Sequence, residues 1–166
     1  MITDLVQIRR LGEKKLAENQ KFRAHLKRHN FHERRLVKIA SQIEDEIDCK
    51  QCANCCRVAT TRVTDRDLEK LAKFLGMPRN ELKRDYTTMS DDEGLILNRN
   101  EHGCVFLVAN LCSVYEGRPK TCQDFPHLVH GGGSFVSRMW QMADRACYCP
   151  IVYNSLEAFK SEVGFP

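Results

Sequence analysis

The chain has 166 residues, 26 Lys and Arg against 22 Asp and Glu, a formal net charge of +4 and nine cysteines. That length suits one domain of ordinary size, which can bury roughly 70% of its unfolded surface, so cross-links are not needed for folding. No apolar run approaches the roughly 18 residues that span a bilayer, and the mean hydropathy of −0.46 excludes a bundle of membrane helices. Met1–Arg10 has no uninterrupted apolar stretch or small-residue cleavage site, so export is not expected and a cytoplasmic setting is. In a reducing compartment structural disulfides are rare, and an odd count leaves one thiol over. Two readings of the nine then remain, buried small hydrophobes and metal ligands.

Residues 1–48 contain no cysteine or proline and one glycine, and are rich in Lys, Arg, Glu, Gln and Leu, which is helix composition. Leu36, Ile39, Ile43 and Ile47 form a narrow apolar stripe, and Leu5, Ile8, Leu11 and Leu16 a weaker one. We read two helices, or one long kinked helix, with an interruption at Asn30. Between Arg9 and Lys38 stand eleven Lys and Arg against Glu13, Glu18 and Glu33, whereas Glu44, Asp45, Glu46 and Asp48 make the end acidic. A basic arm over residues 9–38 can dock on nucleic acid, but the simpler expectation is a solvated helix that packs one stripe on its own domain. His25, His29 and His32 would share one face of a continuous helix. Three histidines can bind metal; without a matching carboxylate they read as exposed.

Beyond Cys49 the texture changes. Thr64 with Asp67 reads as a capping box, Leu68, Leu71, Ala72 and Leu75 as the helix face, and Gly76 as the stop. Pro78 then opens a second short helix carrying Leu82 and Tyr86. Ser90–Gly94 is a turn. Leu95–Leu97 and Cys104–Val108 read as two strands of a hairpin, and Ser134–Met139 as a further strand after Gly131-Gly132-Gly133. Ser155 is placed as the cap of a final helix running to Val163. No nucleotide-binding glycine turn is present.

The strongest signal is Cys49-x-x-Cys52-x-x-Cys55-Cys56. Two intervening residues let a tight turn aim two sulfurs at one ion, and CxxCxxC also matches the loop around a cubane iron–sulfur cluster. Adjacent side chains point to opposite faces in extended chain and about 100° apart in a helix, so Cys55 and Cys56 seldom serve one metal. The pair points to two centres or to one polynuclear centre reached from two sides. A helical run would instead put Cys49, Cys52 and Cys56 on one face. Downstream, Cys104, Cys112, Cys122, Cys147 and Cys149 form no second CxxC, so long-range ligands must close the site. Lys50, Arg57, Arg118, Lys120 and Arg145 would favour thiolates. His127 and His130 are candidate nitrogen ligands, and with Asp124 and Glu116 they are candidate acids or bases.

These residues resemble the CxxCxxCC cysteine-cluster family, also called YkgJ-like, described as a zinc- or iron-chelating domain. The likeness runs from about Cys49 to Cys149 on the CxxCxxCC-Arg57 run, Thr64-Asp65-x-Asp67, Gly103-Cys104-Val105-Phe106-Leu107, Leu111-Cys112-Ser113-Val114-Tyr115-Glu116-x-Arg118-Pro119-x-x-Cys122 and Phe125-Pro126. It implies a ligand set of Cys49, Cys52, Cys55, Cys56, Cys104, Cys112 and Cys122 with one of Cys147 and Cys149. Ala53 stands where many members have glycine, and Gln123 replaces a frequent arginine. Flagellin lysine-N-methylases carry a related cysteine module, but this chain is too short for the rest of that enzyme.

The expectation is an α+β protein with a basic helical arm over 1–48, a metal-binding domain over 49–150 containing a short helix pair and a small antiparallel sheet, and a C-terminal helix over 151–166. An iron–sulfur cluster is the preferred cofactor and zinc or iron the other choice. The role expected is redox chemistry or metal handling with an unidentified redox or protein partner. A zinc-stabilised binding module with a nucleic-acid or protein partner, and a module of protein lysine methylation, are the other readings.

Overall fold

Helices α1 (Leu5–Lys14), α2 (Leu16–Arg28), α3 (Glu33–Glu46), α4 (Cys49–Cys52), α5 (Asn54–Val58), α6 (Asp65–Leu75) and α7 (Arg79–Tyr86) precede the strands β1 (Thr87–Ser90), β2 (Gly94–Leu97), β3 (Arg99–Asn100), β4 (Gly103–Cys104), β5 (Leu107–Val108) and β6 (Leu111–Cys112). Helices α8 (Lys120–Asp124), α9 (Phe135–Arg145) and α10 (Pro150–Glu162) complete the chain. The computed structural model describes all 166 residues, and their contacts divide into two units, Met1–Asp48 with Pro126–Pro166, and Cys49–Phe125. The fold is α+β.

In the first unit α3 packs on α10 and α2 on α9. Ile8, Phe22, Leu36, Met139 and Phe159 are fully buried there, so the apolar stripe read on α3 does face a core through Leu36. The break expected at Asn30 lies between Arg28 and Glu33. It separates the histidines. His25 and His29 have ring centroids 4.3 Å apart, tilted by 32°, but His32 precedes α3 beyond the break, so the three do not share a helix face. Lys160 is buried and donates to Glu18 at 2.6 Å and Glu157 at 2.7 Å, which satisfies a charge that burial would otherwise penalise.

Two expectations here are corrected. Ser134–Met139 is not a strand: the Ser134 hydroxyl accepts from the Ser137 N–H, and Phe135, Met139, Met142 and Ala143 recur at helical spacing on the buried side of α9. The β propensity of Phe135 and Val136 is overridden by cap and packing. Ser155 does not cap the last helix. Cys149 does, with Pro150 at the first helical position, and Ser155 lies buried inside α10.

In the second unit the capping box is formed: Asp67 N–H donates to the Thr64 hydroxyl and Thr64 N–H to the Asp67 carboxylate. Gly76 ends α6 at φ 65°, and α7 follows Pro78. Leu68, Leu71, Leu82, Leu97, Phe106 and Val114 form the core, where Tyr86 and Phe106 stack at 5.2 Å. The sheet structure is three separate two-stranded antiparallel ribbons, β1–β2, β3–β4 and β5–β6. Leu95–Leu97 therefore pairs backward with Thr87–Met89 around the expected turn, not forward with Cys104–Val108. That later run is split, because Val105 N–H donates to Asn98 and Ser113 N–H to Phe106.

Candidate metal centre

The CxxCxxCC run is neither extended nor one helix. Two short helical turns, α4 and α5, meet at Ala53, whose φ of 46° is left-handed. Cys49 and Cys52 lie on the first turn, Cys55 and Cys56 on the second. Few hydrogen bonds are available within turns this short, so other elements hold the ribbon.

Arg99, from β3, donates to the carbonyls of Arg57 and Ala59. Arg57 donates to the Cys52 carbonyl at 2.9 Å and to the Asn110 side chain, and Asn110 Nδ2 donates to the Gln51 carbonyl at 2.6 Å. Asn110, at φ 71°, and Ala109, at φ 46°, make the two-residue turn of the β5–β6 ribbon. That conformation places both residues at positive φ, as a type I′ turn demands. One asparagine thus ties a hairpin tip to both turns of the cysteine ribbon.

These ties bring cysteines from distant sequence together. Helix α5 touches β4, which carries Cys104, and α4 touches β6, which carries Cys112. Gly103 makes the first approach possible. A Cβ there would lie 2.4 Å from the Cys56 carbonyl oxygen and 2.7 Å from the Arg57 Cα. Cys122 arrives on α8, whose start is fixed by the Lys120 N–H donating to Asp67 at 2.8 Å, and its sulfur lies 3.7 Å from the Thr61 hydroxyl. The capping-box carboxylate therefore also positions a cysteine helix.

The four thiols Cys56, Cys104, Cys112 and Cys122 sense one another's charge. A hydrogen bond from Cys55, helped by the Arg57 and Arg99 guanidinium groups against the cost of burial, lowers Cys56 to about 7. Burial and then the charge of Cys56 push Cys104 and Cys112 up, and burial takes Cys122 to about 12. The unit thus supplies one easily ionised thiol beside three that resist ionisation without a cation.

Seven cysteines, Cys49 to Cys122, belong to this unit, and Cys147 and Cys149 to the other. Cys149 is buried at the start of α10, and the Cys147 sulfur lies 3.7 Å from the Ala143 carbonyl. No three His, Cys, Asp or Glu side chains are arranged to hold a metal ion: the sulfurs are neighbours rather than a finished ligand shell. The donor chemistry fits zinc or iron, since soft thiolates select those metals over magnesium or calcium. Sequence reasoning missed Arg99 and Asn110. The signal for Asn110 was a two-residue gap between Leu107-Val108 and Leu111-Cys112. Gln123, the other departure from the family pattern, donates to the Arg118 carbonyl at 2.8 Å.

Residues 48–150 match the CxxCxxCC family, described as "Putative zinc- or iron-chelating domain". The chain belongs to this family. Metal binding is the function that membership carries. This CxxCxxCC protein is also 34% identical over 85 residues to the uncharacterized protein MJ0661 of Methanocaldococcus jannaschii, a stretch covering 49% of the chain and 44% of the relative. The chain thus spans less than half the length of that relative. No solved structure matches it. No helix is long and apolar enough to cross a membrane.

Proposed function

We propose that the ligands are Cys49, Cys52, Cys55, Cys56, Cys104, Cys112 and Cys122, joined by one of Cys147 and Cys149, and that they hold an iron–sulfur cluster used in redox chemistry or metal handling. The observation that carries the reading is the convergence of Cys56, Cys104, Cys112 and Cys122, from four separate elements, into one electrostatically coupled group beside the CxxCxxC turns. CxxCxxC spacing is the loop pattern of cubane clusters, and the bound cluster would supply a one-electron couple. This chain's own residues tune the surroundings: Arg57 and Arg99 offset thiolate charge, and their bonds to backbone carbonyls hold the ribbon in place.

Protein purified without oxygen should be brown, absorb near ~400 nm as thiolate-ligated iron does, and give iron and sulfide in elemental analysis with a Mössbauer or EPR signature. A colourless protein holding stoichiometric zinc would replace the cluster by a structural zinc centre. Methyl transfer from a methyl donor to a protein lysine would instead favour the methylation reading.

A further inference from the structure

We propose that the exposed basic face of α2 and α3 binds the phosphate backbone of a nucleic-acid duplex. From Asn19 to Ile43 the chain contains one carboxylate, Glu33. That carboxylate is turned to other work, accepting the Phe135 N–H at 3.1 Å and lying 3.6 Å from Arg138. Lys21, Lys27, Arg28, Arg34 and Lys38 are all exposed, and none of them takes part in an ion pair of this structure. Arg35, pairing with Glu162 at 3.5 Å, is the one cation of α3 that has a carboxylate.

The cations follow one another along the chain. Lys21 and Arg28 lie two turns apart on one side of α2, with exposed Ala24 between them and exposed Ala17 one turn before Lys21, so small residues line that side of the helix. Arg34 and Lys38, at i and i+4, share a side of α3, and only four residues separate the two helices. Beyond Lys38 the helix turns acidic at Glu44, Asp45 and Glu46, so the positive excess is confined to Lys21–Lys38, and such an excess, uncompensated by its own protein, attracts a polyanion. Its composition selects among polyanions. No large exposed apolar side chain stands on α2 or α3 beyond Leu16 at the start of α2, which an interfacial membrane helix would need. An aromatic anchor, as in a protein interface, is equally absent from that face. The contacts proposed are to phosphates, which carry no sequence information.

The full chain is titrated against a labelled random-sequence DNA duplex and its RNA counterpart, by fluorescence anisotropy across a salt series. Five phosphate contacts predict a slope of log Kobs on log salt of about −4 to −5 for DNA. Lys21→Glu, Arg28→Glu and Arg34→Glu combined should weaken binding by at least about tenfold at low salt, with unchanged far-UV dichroism. The neutralising set Lys21→Gln, Arg28→Gln and Arg34→Gln should fall in between. A control reversing Lys70, Lys73 and Lys83, which are exposed in the other unit, should bind like the parent. No duplex binding at low salt, binding that ignores salt or the face substitutions, or stronger capture by anionic lipid vesicles than by duplex would each overturn the proposal.

Discussion

Ala53 adopts φ 46° between the two cysteine turns, where a Cβ crowds the following carbonyl at a cost of about 1–2 kcal/mol, partly offset because glycine loses more entropy on folding. Ala53→Gly should therefore stabilise the protein by about 0.5–1 kcal/mol, read as a shift in urea midpoint without a change in slope. Gly103 is the converse case. At φ 122° and with Cys56 and Arg57 in the space a methyl would occupy, Gly103→Ala should cost about 2–4 kcal/mol in the same experiment. It should also lower the metal bound per chain, because β4 and α5 must separate. At Asp67 burial opposes the charge, yet bonds from Thr64 and the Lys120 N–H outweigh it and hold the carboxyl below its ordinary 3.8. The stability from that charge is complete above the ordinary value and is lost as pH falls through the lowered one. Asp67→Asn should flatten the acid limb of stability against pH below about pH 4 and lower stability near neutrality, since the side chain then has one acceptor oxygen instead of two. A wild-type acid limb retained in the variant would show that other groups set it.

At the scale of elements, what was legible in the sequence was local. Thr64, Asp67 and Gly76 mark α6 because a cap and a stop act within four residues, and Asn30 marks a break for the same reason. Strand pairing is a choice between partners, and Leu95–Leu97 could pair with either neighbour. The β-branched Thr87 and Thr88 across the turn at Asp91–Glu93 took it. Ser134–Met139 read as a strand, and the Ser134 cap with packing on α2 decided for helix. The cysteines that the fold gathers, Cys56, Cys104, Cys112 and Cys122, were visible by type. Their supports, Arg99 and Asn110, were not, because a side chain that bonds backbone carbonyls leaves no periodicity behind. The supports have a measurable role: Asn110→Ala should disconnect β5–β6 from the ribbon and weaken metal retention against a chelator by about 10–100-fold, the range seen for outer-shell partners. The thiols act together. Cys104, Cys112 and Cys122 are held protonated by burial, so loading should release protons and affinity should rise with pH, by up to about tenfold per unit for each proton displaced. Zinc competition with a chelator at several pH values, with indicator dye in weak buffer, measures both. Uptake without proton release would remove these three thiols from the ligand set.

On the scale of the whole molecule the two units differ in what stabilises them. Both have an apolar core, Phe22, Leu36, Met139 and Phe159 in the helical unit and Leu68, Leu71 and Leu82 in the other, but the Cys49–Phe125 unit also places seven cysteines among short turns and two-residue strands. Chelation under reducing conditions should therefore remove amide protection from Cys49–Phe125 while α3, α9 and α10 keep theirs, measured by hydrogen exchange with mass spectrometry. Equal loss in both would show a single cooperative fold.

The helical unit is assembled from both sides of the chain, α1–α3 before the cysteines and α9 and α10 after them. A ribosome delivers these pieces in order. Helices α2 and α3 emerge with their apolar faces bare, since α9 and α10, against which they pack, are translated last. At the elongation rates typical of protein synthesis, about 5–20 residues per second, the intervening Cys49–Phe125 stretch takes seconds to appear. The Cys49–Phe125 unit, with seven of the nine cysteines, is thereby translated before the helical unit can close, while Cys147 and Cys149 arrive only with the last two helices. The order of the chain alone thus places closure of the helical unit after synthesis of the cysteine unit.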